Sequence, residues 1–152
     1  MKRKLLSLLL VACCMGASSC ALFSENEKVI VSDSIDGANM ATIEVSTDDM
    51  VAIRVLDIYA DETLLNVMVE LKSRGLIDFD LNQGMMVTSI NGKANPADWS
   101  YCWMLYTSDA EMANKEWGEI EYNGAKLGSA VLGADFLPVV EGEVYVWYYK
   151  GF

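Results

Sequence analysis

The stretch Asp61-Glu62-Thr63-Leu64-Leu65-Asn66-Val67-Met68-Val69-Glu70-Leu71-Lys72-Ser73-Arg74-Gly75 decides how this chain folds, because it is the segment with the clearest helical period. Leu64, Val67, Met68 and Leu71 recur at the spacing that places side chains on one face of an α-helix. Asp61 offers a side-chain oxygen to cap the first turn, and Glu62 puts an acid where the helix dipole favours one. Lys72 and Arg74 put cations at the opposite end, and Gly75 supplies the left-handed residue that stops the helix. About twelve residues of helix are predicted. Its apolar stripe is read as core, lying across a sheet.

The flanking segments read as strands. Before the helix, Ala41-Thr42-Ile43-Glu44-Val45 alternates, Thr47-Asp48-Asp49 signals a turn, and Val51 to Tyr59 is rich in β-formers, so the pair predicts a hairpin. After it, Met85 to Ile90 runs into Asn91-Gly92, a strong two-residue turn; Lys93 to Trp99, with Pro96, reads as loop; Tyr101 to Thr107 reads as strand. A polar stretch from Ser108 to Lys115 and a glycine-punctuated segment from Trp117 to Gly133 follow. The last run, Val144 to Tyr149, comes after the turn Glu141-Gly142-Glu143. A hairpin, one helix and then more strands predict a single small α+β domain of β-grasp type over residues 40–152, with a mixed sheet and the one main helix packed across it.

The N-terminus carries an address. Lys2-Arg3-Lys4 precede an apolar run, Leu5 to Met15, and the small residues Gly16, Ala17, Ser18 and Ser19 lead into Cys20. That order is the pattern of a lipoprotein signal peptide over residues 1–19, with Cys20 as the lipidated residue. Cys13, after Leu10-Val11-Ala12, also fits the motif and stays open as the alternative. The apolar run is too short to span a bilayer, which takes roughly twenty residues. Residues 20–39 then read as the lipidated cysteine and a tether, in which Val29 to Val31 could add a short edge strand. The expected location is the extracytoplasmic face of a bacterial membrane, held by lipid.

Composition narrows the chemistry. The chain has 152 residues, with 11 basic and 22 acidic side chains and no histidine. Losing residues 1–19 removes three basic residues and no acids, which leaves a net charge near −14. Such acidity argues against nucleic acid as a partner and against basic-patch binding to anionic lipid. Three of the four cysteines lie at Cys13, Cys14 and Cys20, so Cys102 stands alone in the domain, and burial is expected for it. Without histidine, the commonest general base, triad member and zinc ligand is missing. No nucleophile elbow or phosphate-cradling loop occurs. Asp78 and Asp80 share a face of an extended segment, but in so acidic a chain a pair of this kind arises by chance. The segment from Asp78 also matches an EF-hand start poorly, since Ser89 takes the place of the closing glutamate. No catalytic residue, metal site or resident cofactor is expected, and the chain is read as a non-enzyme.

The aromatic side chains are the suggestive constellation. Trp99, Tyr101, Trp103, Tyr106, Trp117, Tyr122, Tyr145, Trp147, Tyr148 and Tyr149 all lie from residue 99 onward. On a strand, Tyr101 and Trp103 share one face while Tyr106 takes the other. This surplus of rings suits a planar or apolar ligand, or a protein partner.

Thr63-Leu64-Leu65-Asn66-Val67-Met68, then Val87-Thr88-Ser89-Ile90-Asn91-Gly92-Lys93, then Trp103-Met104-Leu105-Tyr106, then Glu141 to Tyr149 follow one another in an order that resembles transcobalamin-like C-terminal domains. That family includes bacterial surface lipoproteins and the smaller domain of the animal cobalamin carriers. The resemblance covers Ala41 to Tyr149 and implies a β-grasp-like, non-catalytic module that binds a small molecule, with a corrinoid of cobalamin type as the candidate ligand. Trp103 matches the family's tryptophan, with Tyr106 beside it; Trp117 and Tyr122 join them as ligand candidates from the aromatic surplus. The chain departs from the family at Thr107-Ser108-Asp109, which opens an insertion to Gly118, and it lacks the carriers' helical-barrel domain. The competing expectation is a cell-surface interaction domain that binds protein or glycan through its aromatic face.

Overall fold

A computed structural model describes residues 40–58 and 61–152. The signal segment, Cys20, Cys13 and the tether lie outside the described residues, as does Tyr59 at the end of the second predicted strand. The order of elements is β1 (Met40–Ser46), β2 (Met50–Asp57), α1 (Leu64–Ser73), β3 (Phe79–Leu81), β4 (Val87–Ile90), β5 (Lys93–Ala94), β6 (Tyr101–Thr107), β7 (Ala113–Tyr122), β8 (Ala125–Ala130) and β9 (Val144–Gly151). This is a small α+β domain, mostly antiparallel sheet with one short helix.

Six strands form one sheet in the order β1-β2-β9-β6-β8-β7, and β3-β4-β5 form a second, smaller sheet. The expected mixed sheet is not what forms: every pairing among the described strands is antiparallel. The reason is the placement of β9, which enters between β2 and β6 and runs opposite to both, from Arg54↔Val144 to Met50↔Tyr148 on one side and from Thr107↔Tyr145 to Tyr101↔Gly151 on the other.

The helix is shorter than predicted and begins later. Thr63, not Asp61, is its N-cap, with its hydroxyl accepting from the Asn66 amide at 3.4 Å. Residues 62–63 are held extended by the segment before β9: Thr63 bridges to Pro138, and the Val139 amide donates to the Glu62 carbonyl at 3.0 Å. That segment also accepts from the first helical amides, Leu64 to Leu137 and Leu65 to Ala134, so the helix start is satisfied by backbone from elsewhere in the fold. The predicted stop is found. Gly75 has φ +72°, its amide donates to Lys72, and the Leu76 amide donates to Leu71, the paired bonds of a Schellman cap.

Strand alternation divides the core into two layers. One face of the large sheet presents Val51, Ile53 and Val55 of β2, Tyr145 and Trp147 of β9, and Trp103 and Leu105 of β6; Leu64, Val67, Met68 and Leu71 of α1 and Phe79, Val87 and Ile90 of the small sheet pack onto it. The Trp147 indole donates to the Met68 sulfur at 3.3 Å, which ties helix to sheet. The opposite face buries Ala52, Tyr106, Tyr122, Leu127, Val144 and Val146. There the sheet coils until its two outer strands meet, and the Tyr122 hydroxyl of β7 donates to Glu44 of β1 at 2.8 Å. Glu44 also takes the Arg54 guanidinium at 2.5 Å, and Arg54 donates onward to the Gly142 carbonyl at 2.9 Å.

Other local differences have simple causes. Lys93–Ala94, read as loop, forms a two-residue strand because Asn91 and Gly92, with φ +48° and +82°, close a hairpin onto β4. The supposed insertion from Ser108 to Gly118 contains a turn and the first half of β7. Residues 115–118 have no partner on β8, which makes a four-residue bulge between Asn114↔Ser129 and Glu119↔Gly128.

Candidate ligand-binding groove

The four aromatic residues singled out in the sequence do not converge on one site. Trp103 is buried on the helix-bearing face, its indole donating to the Lys93 carbonyl at 2.7 Å and its amide to the Asn95 side chain at 3.0 Å. Tyr106 and Tyr122 are buried together on the opposite face. Burial pushes both phenols up, and the Glu44 carboxylate raises Tyr122 further. Trp117 stands on the β7 bulge and is 64% exposed. Cys102 is half-buried, with its sulfur 3.5 Å from that of Met104, and burial pushes its thiol up.

The rings that do reach a shared surface are Trp103's neighbours. Tyr149 packs against Trp103 at 5.2 Å between ring centroids, and Tyr101 stacks on Tyr149 at 5.5 Å with an interplanar angle of 17°. Tyr101 pairs with Gly151, where an added Cβ would lie 2.9 Å from the Tyr101 ring. The missing side chain is therefore what lets this ring lie down on the sheet, half-exposed. Tyr101, Tyr148, Tyr149, Gly151, Asp49, Lys93 and Lys150 line an open groove of about 500 Å³. Two residues before Tyr101 in the chain, Trp99 holds φ +57°, a strained value for a bulky residue, and is 48% exposed.

Charges sit beside the rings. The Lys93 ammonium lies 4.3 Å above the centre of the Tyr149 ring and is ion-paired with Asp49, a contact that raises the lysine further into its charged range. The Tyr149 hydroxyl donates to the Ala94 carbonyl at 3.1 Å, which fixes the ring against the small sheet. Lys93 also lines a second groove of about 460 Å³, formed by Ser46, Thr47 and Asp48 of the β1–β2 turn and Ile90, Asn91 and Gly92 of the β4–β5 turn. Two tight turns, more than forty residues apart in the chain, thus meet at one lysine, and Asn91 closes the contact by donating to the Ser46 hydroxyl at 3.2 Å.

Chemically, the arrangement offers flat π surface, a phenol and several charged groups in the open, which suits recognition of a ring-bearing molecule. Reasoning from sequence placed Tyr101 and Tyr149 in the aromatic set and Trp103 beside them. It missed Asp49, Lys93 and Lys150, for which no local signal exists. Comparison with protein-family models, curated proteins and solved structures finds no match to this chain.

Proposed function

We propose that this protein is a lipid-anchored, extracytoplasmic, non-catalytic binding module for a small molecule, with a corrinoid of cobalamin type as the first ligand to test. The observation that carries the reading is the open groove floored by the stacked Tyr101 and Tyr149 rings beside buried Trp103. The signal-like N-terminus ending in Cys20 supports the anchor, and the absence of histidine from the sequence supports a binding rather than a catalytic role. The resemblance to transcobalamin-like C-terminal domains, with its β-grasp-like expectation, supports the corrinoid. A ligand stacked on Tyr101 is linked to Trp103 through the Tyr101 and Tyr149 rings, within the range of energy transfer from the indole, so titration of the full-length chain with cobalamin or cobinamide quenches its tryptophan fluorescence, and Tyr101→Ala abolishes the quenching without lowering the melting temperature. No change at high micromolar ligand removes the corrinoid.

The second reading, a cell-surface interaction domain for protein or glycan, is favoured by Trp117, raised on its bulge with 64% of its surface open. Its signature is a specific partner whose capture is lost in Trp117→Ala and kept in Tyr101→Ala.

A further inference from the structure

The sequence holds two Asn-Gly pairs, Asn91-Gly92 and Asn123-Gly124, and the fold uses both as two-residue hairpin turns. Their backbones are nearly the same, with φ +48° and +82° at the first and +49° and +77° at the second, and all four residues are exposed. Neither glycine is shielded, since a Cβ added at either would meet nothing within 4 Å. The asparagine side chains differ. The Asn91 Oδ1 accepts from the Asp78 amide at 2.9 Å and its Nδ2 donates to the Ser46 hydroxyl at 3.2 Å, so both ends of the group are held. Among the described residues, the Asn123 side chain is bonded only to the adjoining Tyr122 phenol. That phenol is the one that donates to Glu44 of β1 at 2.8 Å.

We propose that Asn123-Gly124 is a site of spontaneous deamidation whose conversion loosens the tie between β7 and β1, and that Asn91-Gly92 is kept intact by its two clamps. Asparagine before glycine is open to this reaction because no side chain on the second residue obstructs its nitrogen. The Gly124 backbone nitrogen gives its proton to solvent base and attacks the Asn123 side-chain carbonyl carbon. The new C–N bond closes a succinimide as the old one breaks, and the amide nitrogen leaves with a proton as ammonia. Water then opens the ring to aspartate or to isoaspartate, whose backbone runs through the side-chain methylene. Attack requires the carbonyl carbon to swing to within about 3–3.5 Å of the nitrogen, and Asn91 must break both of its bonds before it can do so. At position 123 either product puts a carboxylate beside the phenol that Glu44 already holds, where the two like charges repel. Isoaspartate also lengthens the two-residue turn that the Tyr122↔Ala125 pair closes.

The test ages the folded full-length chain at mildly alkaline pH and follows both sites by peptide mapping, with released ammonia and isoaspartate content as second readouts. Asn123 is expected to convert at least about tenfold faster than Asn91, the factor that two hydrogen bonds of ordinary net strength impose. In denaturant, where the clamps are gone, the two rates converge. Ser46→Ala removes one clamp and speeds conversion at Asn91 alone. The converted chain melts at a lower temperature than the fresh one, whereas Asn123→Gln aged in parallel does not drift. The drop is smaller in Tyr122→Phe, where the tie is already missing. Equal rates in the folded chain, faster conversion at Asn91, or no conversion at Asn123 overturns the inference. Conversion of Asn123 with an unchanged melting temperature overturns the loosening of the tie.

Discussion

At the scale of single residues, three phenols are held away from water for reasons the structure makes plain. Tyr106 is buried against the outer layer of the sheet, Tyr122 is buried and bonded to Glu44, and Tyr145 is buried with its hydroxyl accepting from the Val140 amide at 2.9 Å. Burial penalises the phenolate in each, and for Tyr145 it pushes the pKa up to about 12. In the unfolded chain these groups lose their protons near pH 10. Their folded values lie higher, so below about pH 10 their contribution to stability is constant, and above it the unfolded state sheds protons that the folded state still binds. Stability therefore falls as pH rises from about 10 towards about 12 for Tyr145, and through a higher range for Tyr122. Denaturant unfolding followed across this range shows the decline. A flat stability profile to pH 12 contradicts the packing described for these three rings.

At the scale of elements, the helix and its caps show what local sequence can and cannot convey. The spacing of Leu64, Val67, Met68 and Leu71 and the stop at Gly75 are local properties, and both were legible. The starting residue was not, because it depends on backbone supplied by residues 134–139, which reach the helix only in the folded chain. Thr63→Ala removes the capping hydroxyl but leaves those backbone partners in place, so a loss near the middle of the usual range, about 1 kcal/mol, is expected in denaturant melts. The hairpins divide in a similar way. Asn91-Gly92 was readable because apolar β4 precedes it. Asn123-Gly124 carries the same signal, with φ +49° and +77°, but the charged neighbours Glu119, Glu121 and Lys126 hide the alternation of β7 and β8. Strand β3, three residues long, takes its identity from β4 alone. The candidate groove was legible in its rings and opaque in its charges, because Asp49 lies in the β1–β2 turn and Lys93 opens β5, and only the packing of the small sheet on the large one brings them together.

At the scale of the whole molecule, the coiled sheet is tied across its two outer strands by Tyr122, Glu44 and Arg54. Tyr122→Phe keeps the ring in its buried layer and deletes only the bond to the carboxylate, so thermal unfolding should report a loss of about 1.5–3 kcal/mol, the range for hydrogen bonds to a charged group. A loss near zero means that the tie is incidental to the coiling. The central position of β9 has a larger effect. A chain stopped after Gly142 lacks the strand on which both β2 and β6 pair, and circular dichroism of that fragment is expected to show no native sheet. The strand that joins the two halves of the sheet is also the last of the described strands to leave a ribosome. Nothing upstream can complete the native pairing before it arrives, so the long-range closure of the large sheet waits for the end of this strand even where the β1–β2 and β7–β8 hairpins have already formed.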